Sequence, residues 1–317
     1  MNRIAFVFPG QGSQTTGMGH DVVREFPAIA RTYFDTADEV LGFPLSRLCF
    51  DGSAEDLRDT SVTQPGIFVT SLAIQAVLHE RGVRPEVVAG HSLGEYAALV
   101  CSGVLEWTDA LRLVRERGRL MEGVNRRTPG KMAAVVGLAA ARVEELCEQV
   151  SRAATCTVEV ANYNTPSQTV VSGSLAGVDA LSHAALGAGA AHVVPLNVGA
   201  PFHSSLMRDI EEEFGSHLEA VRFGTPRIPV VANVTARYVE SGAEARELLR
   251  RQLTSPVRWY QSLELLVKDE AAAFIEAGPG RVLTNIGKTA APGIPVLAAG
   301  TVRQLSKAVE RLLPVPS

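Results

Sequence analysis

Val87-Val88-Ala89-Gly90-His91-Ser92-Leu93-Gly94-Glu95-Tyr96-Ala97-Ala98 is the stretch that decides the fold. Val87-Val88-Ala89 is a short apolar run suited to a buried strand, and Glu95 to Cys101 reads as a helix. Between them Gly90-His91-Ser92-Leu93-Gly94 fits G-x-S-x-G, a sharp strand-to-helix turn that exposes a serine hydroxyl. Glycine on either side of the turn removes Cβ atoms that would clash there. The N-terminus of the following helix offers N–H groups to negative charge developing beside Ser92. The plainer alternative is a serine that caps the helix.

Working outward, Ile4 to Phe8 is a second apolar run, closed by Pro9-Gly10, as a buried parallel strand requires. A helix-rich stretch extends to about residue 82. This alternation predicts an α/β class, an α/β-hydrolase-like core with a parallel sheet. After Thr128-Pro129-Gly130 the pattern changes. Strand Met132–Leu138, helix Ala140–Arg152, strands Val158–Asn162 and Thr169–Ser172, helix Leu175–Leu186 and strand His192–Leu196 give β-α-β-β-α-β, the ferredoxin-like order. The spacing therefore predicts a ferredoxin-like subdomain at 129–197, inserted into a catalytic domain made of 1–128 and 198–317. Ile228–Asn233 and Ala273–Glu276 are expected as later strands of the main sheet, and the tail Leu313-Pro-Val-Pro-Ser as loose.

The 317 residues are 46% hydrophobic and 20% charged, a globular composition, with a net charge of −4. No basic run is present, so nucleic acid is not an expected partner. The longest apolar stretch, near Met132 to Ala141, is too short to span a membrane. The apolar run before Pro9 is only five residues long, too short for a signal-peptide core, and a cytoplasmic monomer is expected. Cys49, Cys101, Cys147 and Cys156 form no C-x-x-C pair and lack zinc spacing, so reduced thiols and no metal are expected.

A nucleophilic serine needs a base. Seven histidines compete: His20, His79, His91, His183, His192, His203 and His217. His79 and His217 fall on helices among polar neighbours and read as solvated. His183 and His192 belong to the small subdomain, and His91 points away from Ser92. His203 lies in the loop Gly199-Ala200-Pro201-Phe202-His203-Ser204, where a catalytic group or a satisfied loop histidine fits equally. No third acid is evident. Glu95 reads as a first-turn helix charge, so a dyad with a carbonyl orienting His203 is as suitable as a triad.

One arginine is out of place. On the helix from Thr108 to Gly123, Arg112, Arg115 and Arg119 have mixed neighbours, whereas Arg117 is flanked by Leu113, Val114, Leu120 and Met121. A buried guanidinium is costly unless paired. A structural carboxylate, an escape to solvent or a substrate carboxylate would each satisfy it. Near the start, Phe8-Pro9-Gly10-Gln11-Gly12-Ser13-Gln14 is no dinucleotide motif, because Thr15 replaces the third glycine, and no P-loop. Its N–H groups suit an oxyanion hole opposite Ser92, or simply a tight turn.

In order and spacing, residues 8–14, Thr-Gln-Pro (63–65), Gly-His-Ser-Leu-Gly-Glu (90–95), Arg-Gly (117–118), Asn-Tyr-Asn-Thr-Pro-Ser-Gln (162–168), Pro-Phe-His-Ser (201–204), Arg-Gln-Leu (251–253) and Glu-Ala-Gly-Pro-Gly (276–280) carry a likeness. Over about residues 3 to 300 the chain resembles the malonyl-CoA:acyl carrier protein transacylases and related acyltransferases of polyketide synthesis. The resemblance implies Ser92 as acyl carrier, His203 as base, Arg117 as carboxylate binder, and Gln11 and Leu93 N–H as oxyanion hole. It also implies that the Gln252 main chain orients His203 and that Asn162 lines the pocket. Leu93 and Phe202 match members that take malonyl, although Ala200-Pro201 departs from the commonest wording of that loop. No bound cofactor is implied; a coenzyme A thioester is the substrate and the phosphopantetheine belongs to an acyl carrier protein. Fatty-acid or polyketide pathways, with polyketide synthase modules as further partners, are both compatible. Alternatives are a thioester hydrolase clearing carrier proteins, an acyltransferase for methylmalonyl, and a docking module that retains only the fold.

Overall fold

The computed structural model describes residues 3–313, and residues 314–317 of the tail lie outside the described residues. Its strands, in chain order, are β1 (Arg3–Phe8), β2 (Val87–Gly90), β3 (Gly130–Val136), β4 (Val158–Thr165), β5 (Gln168–Ser174), β6 (His192–Pro195), β7 (Val230–Val231), β8 (Ala271–Glu276) and β9 (Val296–Ala298). The larger sheet runs β7-β2-β1-β8-β9 with every pairing parallel. From Ile4 to Phe8 in β1 and along β2 the residues carry no polar side chain, because helices cover both faces, and the strand ends align with Phe8 opposite Gly90.

One expectation for this sheet needs correction, and one strand was not expected. The strand expected at Ile228–Asn233 shortens to Val230–Val231, since Pro229 has no N–H for the ladder and Asn233 leaves it for the Ser92 turn. β9 follows Pro295 and is only three residues long, too short for a periodic signal. A further difference is the helix Thr60–Glu80. It is 21 residues long and, by length and composition alone, apolar enough to cross a membrane, although Thr70, Ser71 and Gln75 interrupt its apolar run. Protein covers 83% of its apolar window, so it is a core helix.

The second sheet is antiparallel, in the order β4-β5-β3-β6, with the helices Ala140–Ala154 and Leu175–Gly187 packed on it. This is the ferredoxin-like arrangement. Alternation along β3 divides its side chains: Ala133 and Val135 join the small helices' core, while Met132 and Ala134 join the core of the larger domain. The chain's exit to this sheet and its return are tied together, Gly130 N–H donating to Gly199 O at 3.2 Å. A Cβ on Gly130 would lie 2.6 Å from the Pro201 ring, so only glycine fits that neck.

Candidate active site

The Ser92 turn is built by close approach of backbones. A Cβ on Gly90 would sit 2.0 Å from Gly94 C and O, and one on Gly94 would sit 2.0 Å from Phe8 O. Ser92 itself takes φ 51°, a left-handed conformation that costs a non-glycine residue on the order of 1–3 kcal/mol. The surroundings hold it there: Ser92 N–H donates to Asn233 Oδ1 at 2.7 Å, and Gln252 Nε2 donates to Ser92 O at 3.0 Å. Asn233 Nδ2 also donates to Gly90 O at 2.6 Å.

His203 Nε2 lies 2.7 Å from Ser92 Oγ, and its Nδ1 lies 2.8 Å from Gln252 O. A carbonyl can only accept, so Nδ1 carries the proton and Nε2 presents its lone pair to the serine hydroxyl. No carboxylate contacts the imidazole among these bonds, and the orienting group is a main-chain carbonyl. Burial, reinforced by the Arg117 charge, pushes the His203 pKa down to about 3, so the ring is a neutral base. His91, as expected, turns elsewhere, with Nε2 3.1 Å from Asn164 Oδ1 and its ring edge-on to Trp259. His79, expected to be solvated, is instead half-buried near Phe6, and burial lowers its pKa.

Arg117 is 1% exposed, which excludes an escape to solvent. Its Nη1 donates to Gln64 Oε1 at 2.8 Å, and its Nη2 donates to Gln252 Oε1 and to Ser92 Oγ, both at 3.0 Å. These partners are two amide oxygens and a hydroxyl, none of them charged. Its Nε has no acceptor among the described residues. A desolvated cation held in place without a contacting carboxylate is suited to bind one from outside.

Glu95 occupies the first turn of the helix Gly94–Cys101, as expected, and it is fully buried there. Its Oε2 accepts from Gln252 Nε2 at 2.6 Å and from Asn233 N–H at 3.3 Å, and burial raises its pKa to about 7. Sequence reasoning also missed Gln64 and Asn233. Gln64 carried a usable signal, a polar amide inside an apolar helix.

A cavity of about 650 Å³ opens beside Ser92, between the two sheets. Gln11, Asn162, Phe202, His203 and Arg117 all line it. The Gln11 loop reaches it through a tight turn in which Gly12 takes φ 99°. Leu93 differs: its side chain packs into the apolar core and is not among the described residues lining the cavity. A contact of its side chain with the acyl group is therefore not part of the geometry. Among the described residues, neither Leu93 N–H nor Gln11 N–H donates to a backbone carbonyl of the loops and turns.

A family model described as the acyl transferase domain matches residues 5–310. The chain belongs to the acyl transferase family. This acyl transferase is 39% identical to the malonyl CoA-acyl carrier protein transacylase of Bacillus subtilis (strain 168), over 98% of each chain. It is 37% identical to the crystal structure of MCAT from Streptococcus pneumoniae, with TM-score 0.92, covering 98% of this chain and 100% of that one. A malonyl-transacylase in complex with a type II PKS acyl-carrier protein superposes with TM-score 0.93 at 37% identity, over 98% and 99% of the two chains.

Proposed function

We propose that this acyl transferase moves a malonyl group from malonyl-CoA to the phosphopantetheine thiol of an acyl carrier protein through a malonyl-Ser92 ester. The observation that carries the reading is one hydroxyl held between a base and a cation: Ser92 Oγ lies 2.7 Å from His203 Nε2 and 3.0 Å from Arg117 Nη2. The relatives named as malonyl transacylases support the substrate and the carrier.

In the first half-reaction His203 Nε2 takes the Ser92 proton as Oγ attacks the thioester carbonyl. The oxyanion is received by Gln11 and Leu93 N–H. Collapse breaks the C–S bond, and the coenzyme A sulfur leaves with the proton from His203. In the second half the carrier's thiol gives its proton to His203 and attacks the ester; the ester C–O bond breaks and Ser92 Oγ leaves with that proton returned from His203, a ping-pong sequence. Arg117 holds the malonyl carboxylate throughout. Phe202 in the cavity wall limits substituents at the α-carbon, so malonyl is favoured over methylmalonyl. No cofactor is needed by these residues, and the chain acts as a cytoplasmic monomer serving fatty-acid synthesis or polyketide synthase modules. A hydrolase of simple acyl thioesters would have no use for Arg117.

The test is brief incubation with malonyl-CoA followed by intact-mass measurement. The wild-type chain gains one malonyl group and Ser92→Ala gains none. A stable adduct on Ser92→Ala would overturn the assignment.

A further inference from the structure

Glu95 takes no part in the transfer chemistry, yet its carboxyl lies at the centre of the groups that do. Its Oε2 is the common acceptor for Gln252 Nε2 and Asn233 N–H, at 2.6 and 3.3 Å. Both residues also grip Ser92, Gln252 Nε2 through the serine carbonyl and Asn233 Oδ1 through the serine N–H. The two ends of the residue at φ 51° are thus held by two residues that converge on one carboxylate oxygen, Gln252 by its side-chain amide and Asn233 by its main-chain N–H.

A glutamine amide is nearly symmetric in shape, so only its partners set which end is oxygen. Gln252 Oε1 must face the donors of Arg117, and Gln252 Nε2 must face the acceptors Ser92 O and Glu95 Oε2. Reversal would set N–H against guanidinium and oxygen against oxygen. Ser92 O occupies only one of the two amide hydrogens; Glu95 occupies the other. Gln252 is entirely buried, so no water substitutes for a lost partner without cost.

We infer, for the transfer reaction proposed above, that Glu95 is a positioning residue that locks the Gln252 amide, and through it both the Arg117 guanidinium and the Ser92 main chain, making the site selective for acyl groups that carry a carboxylate. The link runs from helix turn to amide to guanidinium without Glu95 touching substrate.

Two readouts on the full-length chain test this. One is the rate at which a small uncharged fluorophosphonate labels Ser92, which reports serine placement whatever the natural acyl group is. The other is the ratio of malonyl to acetyl transfer onto holo acyl carrier protein. Glu95→Ala removes the oxygen on which Gln252 and Asn233 converge, so it should lower both by at least about tenfold. Glu95→Gln, which keeps an acceptor oxygen, should recover most of each. In a Gln252→Ala background, which leaves the carbonyl that orients His203, Glu95→Ala should add less than about twofold, because the intermediary is gone. If Glu95→Ala does not fold, Glu95→Asp, which withdraws the carboxylate by one methylene, makes the same comparison. Labelling and ratio both within about twofold of wild type, or losses that multiply across the double variant, would overturn the inference. A wild-type chain that labels at Ser92 but transfers no malonyl would sink the transfer reading, while the labelling series would still decide the role of Glu95.

Discussion

Arg117→Ala should separate malonyl from acetyl transfer by about two orders of magnitude. The guanidinium is desolvated and offers a fork of donors beside Ser92. Deleting one partner of a buried hydrogen-bonded charge pair costs about 3–5 kcal/mol. At roughly 1.4 kcal/mol per tenfold, that is about 100- to 1,000-fold or more in kcat/KM for malonyl-CoA. Acetyl-CoA has no carboxylate and loses only the Nη2 to Oγ contact, about 1 kcal/mol or roughly fivefold. Part of that loss is offset, because the Arg117 charge is one of the causes depressing the His203 pKa. Gln64 and Gln252 would each be left with an unmet buried oxygen at about 1–3 kcal/mol of stability, so the melting temperature should be recorded alongside. The assay is release of coenzyme A thiol from malonyl- and acetyl-CoA in the presence of holo acyl carrier protein. Equal losses for the two substrates, in a variant that still melts cooperatively, would refute the assignment of Arg117.

Gly94→Ala should abolish Ser92 labelling and lower stability by several kcal/mol, since the new Cβ meets Phe8 O at 2.0 Å; a melting temperature within a degree or two of wild type would contradict that packing. The base should stay neutral as the solution is acidified through the ordinary histidine value of 6.5, because its own value is held at about 3. Acylation kcat/KM should therefore stay level from pH 6.5 to about 5, and an acid limb centred near 6.5 would count against a buried neutral His203. Glu95 has the opposite sign: its pKa is raised from 4.5 to about 7, so the folded chain holds the extra proton between those values. Its stabilising contribution is full below pH 4.5 and is lost as pH rises through 7. Glu95→Gln should accordingly gain melting temperature relative to wild type between pH 4.5 and 7.5, and a difference that stays flat would remove the charge from the argument.

Much of the fold was legible because its signals are local. The G-x-S-x-G turn sits where the glycine spacing put it, with β2 before it and a helix behind it. The second sheet has the strand order expected of β-α-β-β-α-β. Arg117 was legible as an anomaly, a cation on an apolar stripe. What was not legible is how distant segments meet. Glu95 and Gln252 are 157 residues apart, and nothing local to Glu95 distinguishes a first-turn surface charge from a buried acceptor. Asn233 looked like the end of a strand because its side-chain partner lies 141 residues away. The two-residue β7 and three-residue β9 exist only because neighbouring strands recruit them.

The hydrogen bond between Gly130 and Gly199 brings the two ends of the small sheet's segment to one point. That segment is also pinned along β4, where Tyr163 N–H donates to Val257 O at 2.9 Å, so the parts free to vary are the stretches facing away from the larger domain. The nucleophile, the base and the arginine all lie outside that segment, while Met132, Ala134, Asn162 and Val170 supply the chamber's facing wall. The reacting groups and one wall of the chamber are therefore carried by separate stretches of one chain, joined again where Asn164 meets His91 beside the nucleophile.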